Sequence, residues 1–288
     1  MQFQACGYGS KREPNVNFDG DENAVLDYRY FPTDALTYYF DHHPTAFRET
    51  AHQEHYGLRE KQSPGQFRWD PQAVSCAAVI EHTARRDFDI DLSRYQELLD
   101  WANLVDGAQF ATVAEATDRT TREMRLLGVV EHFSDSSFIQ KAVPILLSEG
   151  VEGLASAKFV RDKYRKLAPK FRQYNKRVQT RGTRRGPVVL IDLTEELVSV
   201  VAKFAHYREY PEALYSVIVA KRPGGIRLSI GHNPWHGGRC LHDIGSICAE
   251  FGGGGHHMVG GIALSRGEEE RGRQLASAIA ERLAADPT

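Results

Sequence analysis

The first half of the chain is patterned as short apolar runs that stop abruptly on polar residues. Residues 24–28 read as a buried strand that closes on Asp27, and residues 37–40 as a second that closes on Asp41, His42 and His43. Strands of this kind suit an α/β sheet, in which ligands gather at the carboxyl ends. Residues 48–70 are polar and carry a Ser63-Pro64-Gly65 turn signal. Asp70-Pro71 then starts a helix with Val74, Ala77, Ala78 and Ile80 as its apolar positions. A second helix is predicted over 93–105 and runs straight into Asp106. Residues 120–168 are helical throughout, with breaks near 134–135, Pro144 and Gly150.

At 171–186 the pattern gives way to six basic residues and no acid, followed by Gly186-Pro187, which reads as a linker. Beyond it strands dominate: 188–192, 215–220 and 226–230, the last two joined by a hairpin at Pro223-Gly224-Gly225. A helix through Ile244, Ile247, Cys248 and Phe251 is stopped by the glycines at 252–255. A strand at 262–264 and a helix over 268–284 complete the chain. The expected organisation is an α/β fold, with a parallel sheet flanked by helices over 1–170, a linker over 171–187 and a smaller mixed α/β domain over 188–288.

Composition narrows the partners. The 288 residues carry a formal net charge of -2, which argues against coating long duplex DNA, because that binding is driven by neutralising phosphates. It favours a small phosphorylated substrate, or a short oligonucleotide held in a local basic pocket. The four cysteines form no CxxC pair, as expected for reduced thiols in the cytoplasm. No apolar run approaches the ~20 residues that span a bilayer, and the first residues lack the apolar core of a signal peptide.

Two stretches carry chemistry. Asp41-His42-His43 follows an apolar strand, and a carboxylate beside two imidazoles suits a divalent metal. Taken alone, the tripeptide reads equally well as a surface histidine pair. The second stretch runs from Gly252 to Gly261, with six glycines in ten residues around His256 and His257. Glycines let backbone N–H groups approach an anion, and a flexible turn is the plainer alternative.

Together, and in this order, the two stretches resemble the DHH phosphoesterase superfamily, in the branch with the DHH-associated C-terminal domain. The match rests on Asp41-His42-His43 and on Gly253-Gly254-Gly255-His256 followed by Gly260-Gly261. The resemblance implies hydrolysis of phosphate esters with divalent ions, usually Mn2+, two of them in a complete site. It places metal ligands at Asp27, His42 and Asp106, with Asp41 supporting the site and His43 facing the substrate phosphate. Arg227, Ser229, Gly253, Gly254, Gly255 and His256 would bind the substrate, a small nucleotide or short oligonucleotide. The family's first acidic motif, with its own strand and crossover helix, has no counterpart before Asp27. Asp19 and Asp21 read as loop acids, because six residues are too few for a parallel crossover. The sequence therefore also admits a catalytically impaired nucleotide-binding protein or an N-terminally truncated enzyme. It also suggests an open sheet edge at which two copies could pair.

Overall fold

In a computed structural model, which describes residues 1–6 and 16–285, the early apolar runs form a three-stranded parallel sheet. Its strands are β1 (Ala24–Leu26), β2 (Tyr38–Asp41) and β3 (Phe67–Trp69), in the order β1-β2-β3. The irregular reading of residues 1–23 falls partly on 7–15, which lie outside the described residues.

Successive strand side chains point to opposite faces, and β2 uses both. Tyr39 enters an aromatic cluster with Tyr28, Tyr30, Tyr56 and Phe67, whereas Phe40 packs with Cys76 and Val79. Helices α1 (Thr50–Gln62), which supplies Tyr56, and α2 (Cys76–Phe88), which supplies Cys76 and Val79, therefore cover opposite faces of the sheet. The sequence pattern reveals neither α1 nor β3. Tyr56 is the one buried residue of α1, so the helix shows no apolar stripe. The start of α2 also moves. Its cap is Ser75, whose hydroxyl accepts from the Ala78 N–H at 2.9 Å. Asp70 instead closes a turn, accepting from Gln72 and Ala73.

Helix α3 (Gln96–Asp106) follows a single 3-10 turn at Ser93–Tyr95. Next come α4 (Val113–Thr117), α5 (Arg122–Phe133), α6 (Ser136–Ser156) and α7 (Lys158–Arg181). Asp135 caps α6 by accepting from the Phe138 N–H, and Gly150 kinks it with φ 69°.

The chain forms two compact units, residues 1–110 with 133–157, and residues 111–132 with 158–288. The boundary differs from the one that composition suggests. Residues 171–187 are not a linker: they form the C-terminal half of α7 and the strand β4 (Gly182–Arg185) of the second unit. Phe171, Tyr174 and Val178 are buried on the inner side of α7, and its many charges hide that stripe from a compositional reading.

The second unit holds a six-stranded sheet built from β4, β5 (Val188–Leu193), β6 (Tyr215–Arg222), β7 (Gly225–His232), β8 (Gly254–His256) and β9 (Val259–Leu264). Its order is β4-β5-β6-β7-β9-β8, parallel only between β5 and β6. Val217, Val219, Ile226 and Leu228 pack one face against α9 (Ile244–Glu250) and α10 (Glu269–Ala284). A short helix, α8 (Ala205–Glu209), joins β5 to β6. No helix among the described residues is long and apolar enough to cross a membrane.

Gly260 lets β9 meet α9 closely. A Cβ there would lie 2.5 Å from Cys248 Sγ and 3.1 Å from the Ile244 carbonyl. Gly260→Ala is expected to destabilise the protein by about 1–3 kcal/mol through overpacking. Gly57→Ala, on an α1 position with nothing within 4 Å, should instead stabilise it by about 0.5–1 kcal/mol. Urea denaturation midpoints of the two variants check both signs.

Candidate metal centre

The carboxyl ends of β1 and β2 lie side by side, since Leu26 pairs with Phe40. The residue after each strand is therefore delivered to one place. Asp27 leaves β1 in the left-handed region, with φ 58°, and its N–H donates to the Phe40 carbonyl at 2.9 Å. A non-glycine residue is strained there, and such residues gather at functional sites. His42 follows β2, and Asp106 arrives as the last residue of α3.

The three side chains converge. His42 Nε2 lies 3.4 Å from Asp27 Oδ1 and 3.2 Å from Asp106 Oδ2. Its Nδ1 is 3.2 Å from the Ala73 carbonyl. That oxygen can only accept, so Nδ1 carries a proton and Nε2 is the nitrogen turned toward the two acids. Nε2 is buried and has no hydrogen-bond partner. The pair of carboxylates raises the His42 pKa to about 10, Asp106 contributing most and Asp27 next. A protonated imidazole and a divalent cation are thus alternative occupants of the same negative field. The donor set of carboxylate oxygens and an imidazole nitrogen suits Mn2+ or a similar ion, so these residues fit the implied metal.

His43 lies beside one of these acids, its Nδ1 3.7 Å from Asp27 Oδ1. Ligand atoms of Asp27, His42 and His43 all fall within 4.8 Å of one another. Asp41 is fully buried, and its carboxylate accepts from Tyr39 Oη at 3.1 Å and from His43 Nδ1 at 2.7 Å. This raises the His43 pKa, with Asp41 as the main cause. Trp69 Nε1 donates to the His43 carbonyl at 2.8 Å and holds the backbone of the motif. Asp19 and Asp21 lie elsewhere, in the stretch before β1; Asp19 accepts from Asn17 at 2.6 Å, and neither belongs to this group of ligands.

In the second unit, Arg227 and Ser229 project from β7 into a cavity of about 440 Å³ on the face of the sheet away from α10. Tyr174, Phe204, His206, Tyr207 and Arg222 complete much of its wall, and no acid lines it among the described residues. Gly253, Gly254, Gly255 and His256 are not in that wall. They form the exposed edge strand β8 and the turn before it. Close packing explains part of the glycine run: a Cβ on Gly253 would lie 2.3 Å from the Gly261 carbonyl, and one on Gly255 2.2 Å from that of Val259. Cross-strand register puts Ser229, Gly261 and Gly254 in one row.

Three contributors lie outside the residues that the sequence motifs single out. Ala73 acts through its carbonyl, for which no side-chain signal exists. Tyr39 looks like a core aromatic, and its hydroxyl role depends on where Asp41 folds back. Arg222 is detectable: it continues the alternation of Ser216, Ile218 and Ala220 along β6, all of which line the cavity.

His42 generates a pH prediction. Its folded pKa lies above the ordinary 6.5, so the stability it contributes to the metal-free protein is fully present below about pH 6.5 and lost as pH rises through about 10. Asp106→Asn should flatten that decline in thermal melts recorded with chelator. Mn2+ must displace the same proton, so calorimetry in buffers of different ionisation enthalpy should show proton release, and Asp106→Asn should weaken Mn2+ binding at least about tenfold.

The sequence matches no family model and no curated protein. Solved structures are similar in fold. One is a pGpG-specific phosphodiesterase, PggH, from Vibrio cholerae, with a TM-score of 0.64 and 17% identity over 93% of this chain and 86% of that one. Another is RecJ from Thermus thermophilus in complex with Mn2+, with a TM-score of 0.55 and 13% identity. That match covers 93% of this chain but 46% of RecJ, so the chain spans about half of that protein's length. At these identities the likeness shows the fold alone: the chain shares the architecture of these two proteins.

Proposed function

We propose that this protein is a metal-dependent phosphoesterase acting on small nucleotides or short oligonucleotides. One observation carries the reading: Asp27 and Asp106 aim at a buried, unpartnered His42 Nε2 at the carboxyl ends of two parallel strands. Asp27, His42 and Asp106 would hold a divalent ion, Mn2+ by the likeness to the Mn2+-bound RecJ. When bound, such an ion neutralises charge on phosphoryl oxygens and lowers the pKa of water toward neutrality.

The chain's own residues do the rest. Ala73 fixes the tautomer of His42, so that Nε2 remains a ligand at neutral pH once the proton leaves. Asp41 fixes the ring of His43 and favours its charged form, which complements an anionic ester placed beside the carboxylates. Arg227 and Ser229 would hold a phosphate of the substrate in their acid-free cavity. Gly253, Gly254, Gly255 and His256 would offer a further anion contact from the edge hairpin. PggH acts on pGpG, which makes that linear dinucleotide the first substrate to try.

A second reading, a nucleotide-binding protein without turnover, is favoured by one feature. The described residues supply a single group of clustered metal-ligating side chains, whereas the family mechanism uses two ions.

Hydrolysis of a dinucleotide panel with Mn2+, followed by chromatography, separates the two readings. Turnover that falls at least about a hundredfold in Asp27→Asn, and tenfold or more in His43→Ala, is expected of the hydrolase. Arg227→Ala should chiefly raise KM. Folded, metal-loaded protein that binds the panel by calorimetry but cleaves none of it establishes the second reading.

A further inference from the structure

Helix α7 is the most charged element of the fold. Its 24 residues hold ten Lys/Arg and one acid, Asp162, in a chain whose formal net charge is -2. Val160, Leu167, Phe171, Tyr174 and Val178 are buried on its inner side. Arg161, Arg165, Arg172 and Lys176 are exposed. At 100° per residue these four fall within one narrow stripe on the side away from the buried set, and at 1.5 Å per residue they span about 22 Å.

Of the four stripe residues, the acids near α7 reach only Arg165 among the described residues. Asp162 pairs with Lys158 at 2.7 Å and Arg165 at 3.0 Å. Arg177 and Arg181 pair with Glu196 and Glu195. Arg161, Arg172 and Lys176 have no ion pair among the described residues. A row of like charges repels itself, and it is relieved by a partner that brings negative charges in a line. Tyr174, on the inner side of α7, lines the cavity of the second unit, so the helix lies between that cavity and the stripe.

We propose that the outer face of α7 docks the phosphodiester backbone of a single-stranded oligonucleotide. A linear polyanion matches a linear cationic stripe. An anionic membrane is the rival surface, and α7 is poorly made for it: its apolar side faces the core, and it exposes no large hydrophobic residue. No aromatic ring lies on the stripe, so recognition rests on charge, is indifferent to base sequence and weakens with salt. The proposal goes beyond the hydrolase reading and does not depend on turnover.

The test uses the full chain with chelator, so that cleavage plays no part. Binding of a fluorescein-labelled oligothymidylate long enough to span α7 is followed by anisotropy from about 50 to 200 mM salt. The fourfold variant Arg161→Gln, Arg165→Gln, Arg172→Gln, Lys176→Gln should bind at least about tenfold more weakly. Its log–log salt slope should be shallower by about 3, at roughly 0.7 per lost phosphate contact. Replacing the three arginines with lysine should preserve binding, which separates charge from helix structure. Dinucleotide affinity should be the same in all three proteins. Equal affinity and slope for the wild type and the glutamine variant overturn the proposal. So does binding confined to phosphatidylserine vesicles with none to the oligonucleotide.

Discussion

Two carboxylates share one imidazole nitrogen, and the first unit is organised around that shared field. Asp27 and Asp106 both approach His42 Nε2, and each makes the other costly unless a positive charge lies between them. A proton on His42 answers the field, and a divalent ion held there would answer it in the same way. The geometry is imposed rather than relaxed. Asp27 is held in the left-handed region by its N–H bond to Phe40 and by the parallel pairing of β1 with β2. The far side of His42 is pinned to Ala73, so the ring cannot turn to escape.

The aromatic core and the site are one construction. Asp41 is a fully buried carboxylate, and stripping one partner from a buried charge costs on the order of 3–5 kcal/mol. Its partners are His43 and Tyr39, and Tyr39 stands edge-on to Tyr30 and Tyr56 in the core. The packing that stabilises the sheet therefore also sets the orientation of His43. A change in the aromatic cluster reaches the site through one hydroxyl.

The second unit divides its labour between the two faces of a sheet. One face is sealed by α9 and α10 and supplies the core. The other is left concave, carries Arg222, Arg227 and Ser229, and excludes acids. The glycine run of β8 and β9 serves the sealed side by letting α9 and the hairpin approach closely. A motif that looks chemical in sequence is thus in part a packing device, and the cationic wall is contributed by β6 and β7.

Much of this is legible in the residues themselves. Alternation and apolar runs locate β1, β2, β5, β6, β7 and most of α3, α6, α9 and α10, because their apolar residues cluster in runs or recur on one face. The two motifs point to the superfamily fold, and Asp27, His42 and Asp106 can be named as a group that ought to meet. The elements that bury little, α1, β3, β4, α8 and β8, leave no periodic trace. The basic half of α7 reads as a linker, because charge on its outer face outweighs three buried residues on the inner one. Only tertiary structure decided that Ala73 fixes the tautomer of His42, that Tyr39 reaches Asp41, and that His256 stands apart from the cavity of Arg227. Those facts depend on where backbone carbonyls and strand edges come to rest in space. A linear sequence determines which groups are present and on which face of an element they lie, while distances between elements are set by packing.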